Sequence, residues 1–179
     1  LAGAELWYED NNTGVAAGMP PDFKEMFIHP ETWAQARQYI DIYLVRANTL
    51  MSRKNDVNDR FLEKNFLPVL QQSGTAIALD VQGATWMSEG NQEQTPETAE
   101  KEIALIRRLK NLGGDVQYLC LQSVLSKPLV INGKRKEYPM EQRYEDICRY
   151  FTLITQEFPD MKIGIIDAII LSPLTDSLW

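Results

Sequence analysis

One unit recurs along this chain and restricts what it can fold into: a short apolar run ending in a polar residue, a polar loop, then an amphipathic stretch at helical spacing. Its clearest copy is Asp115-Val-Gln-Tyr-Leu-Cys-Leu-Gln-Ser123. An amphipathic helix closed by Gly113-Gly114 precedes it, and a long polar loop and a second such helix follow. The unit is readable again from Ile40 to Tyr43, Ala76 to Asp80 and Lys162 to Asp167. Near-continuous apolar strands alternating with amphipathic helices belong to a parallel α/β sheet, whose functional residues gather at the strand C-termini.

Taken in order, Leu6-Trp-Tyr8 reads as a first strand ending in Glu9-Asp10, followed by a long loop to His29. His29-Pro30-Glu31 opens a helix with Trp33, Ala36 and Ile40 on one face, and the strand from Ile40 to Val45 ends at Arg46-Ala-Asn48. Asp56 is the expected N-cap of a helix with Phe61, Leu62, Phe66, Val69 and Leu70 as its stripe, kinked by Pro68 and ended by Gly74. The third strand closes on Asp80. A polar loop through Trp86 leads to the helix start Thr95-Pro96-Glu97, and Ala99, Ile103, Ile106 and Leu109 form its apolar face. Asn132-Gly133 between short runs predicts a hairpin over the strand C-termini. Met140, Tyr144, Ile147, Cys148, Phe151, Ile154 and Phe158 predict a helix ending at Pro159.

Five strands in 179 residues, read as one α/β domain over 1–179, fit two architectures. One is the first five βα units of a TIM-barrel-like fold, since a closed barrel has eight strands in about 250 residues. The other is a complete open five-stranded parallel sheet, although neither a Gly-x-Gly-x-x-Gly turn nor a Walker sequence is present. The incomplete barrel is the expectation. Its first and fifth strands would then be unpaired edges, so self-association or the missing half of the barrel is the expected partner.

A formal net charge of −7 argues against nucleic acid or an anionic membrane as partner, and no apolar run reaches the length of a membrane span. Lys134-Arg135-Lys136, the one basic cluster, reads as a solvated loop tip. Cys120 and Cys148 are expected to be buried free thiols, and His29 as lone imidazole makes a zinc site implausible. No cofactor is expected. The small residues Leu1-Ala-Gly-Ala4 are compatible with a signal-peptide cleavage site, which leaves a secreted or periplasmic location open.

The strand-end acids are the candidate chemistry. Glu9, Asp80 and Asp167 are the candidate catalytic carboxylates, because acids ending several strands are gathered on one rim of a parallel barrel. Asp10, Arg46, Asn48, Trp86, Gln122 and Ser123 are candidates for binding the substrate, through hydrogen bonds and, for Trp86, stacking. Trp7 is expected in the core, and His29 in a capping or packing role.

Pro21-Asp-Phe-Lys-Glu-Met-Phe27, Trp33-Ala-Gln-Ala-Arg37, Ile40-Asp-Ile-Tyr43, Ala76-Ile-Ala-Leu-Asp80, Gly113-Gly-Asp-Val-Gln-Tyr-Leu119 and Ile163-Gly-Ile-Ile-Asp167 together carry a resemblance. In order and spacing the chain resembles poorly characterised bacterial (β/α)8-barrel proteins similar to the large retaining clan of glycoside hydrolases. That resemblance implies acids at the ends of strands three and five, matched by Asp80 and Asp167. It also implies an Asp-Glu or Asn-Glu pair closing strand four, where this chain has Gln122 and Ser123, and a nucleophile on strand seven, beyond this chain. Three readings follow: a glycosidase-like barrel protein acting on oligosaccharides, a non-catalytic sugar-binding or scaffold protein that has lost the strand-four acid/base, and a divalent-metal sugar isomerase or lyase.

Overall fold

In a computed structural model, the described residues are 5–9, 23–51, 57–81, 94–122, 124–125, 129–131, 134–136 and 139–166. Asp10, Asp56, Trp86, Ser123 and Asp167 lie outside them. Five strands, β1 (Trp7–Glu9), β2 (Ile42–Arg46), β3 (Ala76–Val81), β4 (Val116–Gln122) and β7 (Lys162–Ile166), form one parallel sheet in the order β1-β2-β3-β4-β7. A separate antiparallel pair joins β5 (Leu129–Ile131) and β6 (Lys134–Lys136).

The strand order decides between the two architectures. A doubly wound sheet reverses direction at a switch point, which puts helices on both faces. Here the strands advance in chain order, so right-handed crossovers place the described helices on one face. Side-chain packing agrees: Tyr43, Val45, Ile77, Leu79, Val81, Leu119 and Leu121 join the large helix-covered core. The alternate positions Ile42, Leu44, Ala76, Ala78 and Cys120 form a small second cluster on the opposite face, with Tyr118 against it.

That opposite face is concave. The rings of Trp7 on β1 and Tyr118 on β4 are 5.0 Å apart although β2 and β3 lie between their strands. In a flat sheet, three steps of about 4.8 Å would hold those strands roughly 14 Å apart. The sheet is therefore curled as in a barrel but not closed, with β1 and β7 as its edges. On β7, Ile165 and Ile166 are exposed, in keeping with an uncovered edge.

Between β3 and β4 the register shifts, from Ile77 opposite Val116 to Ala78 opposite Tyr118. One extra residue, Gln117, re-phases β4. Val116 faces the helices, whereas Tyr118, Cys120 and Gln122 face the concave side.

Several local expectations change. The stretch before His29 contains a helix, α1 (Phe23–Ile28), because Phe23 and Phe27 sit one turn apart and are both fully buried. The helix expected from His29 is a 3-10 turn (Pro30–Trp33) followed by α2 (Ala34–Arg37). Ala36 is exposed rather than apolar-facing, and β2 begins at Ile42, two residues later than expected. After α3 (Ala47–Met51), the N-cap of the next helix is Asn58, whose side chain accepts from the Phe61 amide at 3.0 Å.

That helix, α4, runs as Asp59–Phe61, a π turn Leu62–Phe66 and Leu67–Ser73. Pro68 offers no amide to the Lys64 carbonyl and its ring crowds it, and the widened turn lies directly before it. Gly74 closes α4 in the left-handed region, at φ 68°.

On α5 (Gln94–Asn111), Ala99, Ile106 and Leu109 are buried as expected, and so is Glu102. On α6 (Met140–Glu157) the buried face is Arg143, Asp146, Ile147, Tyr150 and Ile154. Met140, Tyr144 and Cys148 are exposed, against expectation, because the apolar residues of this helix extend round more of its circumference than the contact covers. Both cysteines are free thiols, and Cys120 alone is buried. Lys134-Arg135-Lys136 forms strand β6 rather than a loop tip. Among the described residues no helix is long and apolar enough to cross a membrane.

Candidate functional site: a polar cluster at the strand ends

On the concave face the polar positions collect at the C-terminal ends of four neighbouring strands. Arg46 and Asp80 are register partners, so their side chains leave the sheet side by side. Arg46 Nε lies 3.6 Å from Asp80 Oδ2, an ion-pair distance beyond a good hydrogen bond. Asp80 is 3% exposed, whereas Arg46 is one-third exposed and faces solvent at the rim. From β4, Gln122 Nε2 donates to Glu9 Oε1 on β1 at 3.1 Å, a contact that only the curl of the sheet permits.

Cys120 sits one layer below Gln122. Burial pushes its thiol up to about 11, with the nearby charges of Asp80 and then Glu9 adding to the effect. The thiol therefore stays protonated at neutral pH and offers no thiolate nucleophile. Because its folded value lies above the unfolded one, this group's contribution to stability is intact below pH 9 and is lost as pH rises towards 11. Equilibrium unfolding from pH 8 to 11 should show an alkaline loss of stability, part of it from this thiol. In Cys120→Ala the slope should be shallower. An unchanged slope would mean that the thiol ionises normally.

Glu9 and Asp80 stand on different strands of the cluster. Glu9 is level with Leu44 and Asp80 with Arg46, so the two differ by two strands laterally and two residues along the sheet. Each carboxylate already faces a donor, Gln122 or Arg46. An amide, a guanidinium and two carboxylates on one concave surface are suited to grip a ligand rich in hydroxyl groups.

Of the candidate residues, the fold brings Glu9, Arg46, Asp80 and Gln122 into one cluster. Asn48 does not join it: it is exposed on α3 and makes no hydrogen bond to the cluster. Asp10, Trp86, Ser123 and Asp167 fall outside the described residues. Trp7, expected in the core, is 38% exposed on the concave face, edge-on to Tyr118. His29 is exposed beside Glu25 and Glu31, at 3.7 and 3.4 Å, and its side chain caps nothing.

A second polar layer escaped the sequence reading. Below the cluster, Tyr118 Oη donates to Glu5 Oε1 at 3.0 Å and accepts from Lys162 Nζ at 2.9 Å. Trp7 Nε1 donates to Glu5 Oε2 at 3.3 Å. Alternation within β4 would have pointed to Tyr118 and Cys120, but the extra residue at Gln117 breaks that alternation near the strand's start.

Two clefts lie at the opposite end of the sheet. One, of about 430 Å³, is bordered by Asp115, Gln117, Glu157, Asp160 and Lys162. The other, of about 230 Å³, is bordered by Leu67, Leu70, Gly74, Thr75 and Gly114. Neither coincides with the strand-end cluster, where the chemically capable side chains converge. Among the described residues no group of three or more His, Cys, Asp or Glu side chains is placed to hold a metal ion.

The sequence matches no protein-family model and no curated protein. A solved structure similar in fold is a psychrophilic glycoside hydrolase family 10 endo-β-1,4-xylanase, with a TM-score of 0.54 and 16% sequence identity. The match covers 86% of this chain and 54% of the xylanase, so the chain spans about half the length of that protein. At this identity the likeness is one of fold: an unclosed parallel α/β sheet corresponding to part of a TIM barrel.

Proposed function

We propose that this chain is a carbohydrate-binding protein of glycoside-hydrolase-like fold, with an oligosaccharide held at the C-terminal ends of β1 to β4. The observation that carries the reading is the hydrogen bond from Gln122 to Glu9 across the concave face. Where the resemblance implies an Asp-Glu or Asn-Glu pair, this chain has Gln122 and Ser123, whose amide and hydroxyl can donate and accept hydrogen bonds but are no general acids. Glu9 and Gln122 then share a hydroxyl-bearing ligand between them, and Asp80 with Arg46 extends the polar rim. The similarity in fold to a xylanase makes β-1,4-linked xylo-oligosaccharides the first ligands to try.

Calorimetric titration with xylo- and cello-oligosaccharides should show binding, and Glu9→Ala should weaken it roughly tenfold, the effect of losing one hydrogen bond to a charged group. Aryl glycosides should not be turned over. Turnover abolished by Asp80→Asn would replace this reading with a hydrolase whose candidate carboxylates are Glu9, Asp80 and Asp167. No binding across a broad glycan panel would reject the carbohydrate reading altogether.

A further inference from the structure

Arg143 is an unusual residue for its place. It lies in the first turn of α6, where the helix dipole disfavours a cation, and it is only 7% exposed. A guanidinium buried there needs compensating acceptors. One of them is the Val124 carbonyl, which accepts from Arg143 Nη1 at 3.1 Å.

Val124 follows the end of β4 by two residues, and its side chain is 2% exposed within the main core. The position of Gln122, the last residue of β4, is therefore tied to α6 through this carbonyl. Gln122 in turn reaches Glu9 on a strand three places away, at 3.1 Å. A contact spanning the curl tolerates little error, since a displacement of about 1 Å takes such a hydrogen bond out of range.

We infer that Arg143 is a positioning residue for the strand-end cluster: by holding the Val124 carbonyl it sets where Gln122 presents its amide to Glu9. It touches no ligand itself. The inference rests on the carbohydrate-binding reading only for its functional consequence, and its geometry can be tested separately.

The side-chain amide signals of Gln122 in the 15N-labelled protein, identified by their loss in Gln122→Met, report the contact without any sugar. In Arg143→Met those signals should move and exchange with water faster, and oligosaccharide affinity should fall roughly tenfold, as for loss of a hydrogen bond to a charged group. Arg143→Lys, which keeps a donor, should restore most of both. Tyr150→Phe, on the same helix, should lower the melting temperature and leave the Gln122 signals in place.

Unmoved Gln122 signals in folded Arg143→Met would overturn the inference. If that variant does not fold, Arg143→Gln decides, with displaced Gln122 signals supporting the inference and unmoved signals rejecting it. A wild type that binds no glycan, combined with displaced Gln122 signals in the variants, would remove the proposed function and keep Arg143 as the residue that positions Gln122.

Discussion

Phe27→Ala should destabilise the protein by about 3 to 5 kcal/mol, the usual cost of deleting a fully buried aromatic ring. Phe27 is 1% exposed, and its ring centroid lies 4.6 Å from that of Phe66, 5.3 Å from Phe23, 5.4 Å from Tyr43 and 5.6 Å from Trp33. Those partners come from α1, the 3-10 turn, β2 and α4, so one deletion loosens four elements against the outer face of the sheet. Against a total stability of roughly 5 to 15 kcal/mol, that loss removes a large share of the margin. Urea unfolding followed by tryptophan fluorescence measures it. A cost below 1 kcal/mol would mean that the chain before His29 is a surface connection, as its turn-rich composition suggests, and would contradict the packing of α1.

The second large effect concerns the joint between α5 and α6. Glu102 and Tyr150 are 2% and 0% exposed, and the Tyr150 hydroxyl donates to Glu102 Oε2. Burial, and then the adjacent carboxylate, push the Tyr150 phenol well above its usual range, so the hydroxyl stays protonated as a donor. Tyr150→Phe keeps the ring and deletes that donor, leaving the buried carboxylate short of a hydrogen bond. The expected cost is about 2 to 3 kcal/mol, in the range for stripping a partner from a buried charged group. Glu102→Gln should cost less, because the amide oxygen still accepts from the phenol and no charge is left in the core. Thermal unfolding at pH 7 compares the two. A neutral Tyr150→Phe, or a Glu102→Gln that is the worse of the pair, would show that the carboxylate is not held by the phenol.

Neither residue pair stood out by residue type alone. Glu102 lies among the charges of a helix whose expected face was Ala99, Ile103, Ile106 and Leu109, and its buried partner Tyr150 lies across the helix joint, 48 residues away in the chain. Tyr150 lies just off the stripe read for α6, which included Met140, Tyr144 and Cys148. An apolar pattern wide enough to cover two faces of a helix does not say which face the neighbouring helix and sheet will occupy. Phe23 and Phe27 were hidden differently. Six helical residues between turn-rich flanks are too few to announce a period.

Local chemistry determined the rest of the secondary structure. Continuous apolar runs, glycines at the helix ends and a proline in an early helical turn specify parallel strands alternating with helices, because each acts within a few residues of itself. The acids near the ends of β1 and β3 were legible for the same reason, since the end of an apolar run can be read without knowing its neighbours. Only the tertiary structure decided that the strands lie in sequential order and curl, and only the extra residue in β4 decided that Gln122 faces Glu9. Strand order, curvature and register depend on packing between segments more than a hundred residues apart, and a parity change of one residue moves every later side chain of a strand to the opposite face.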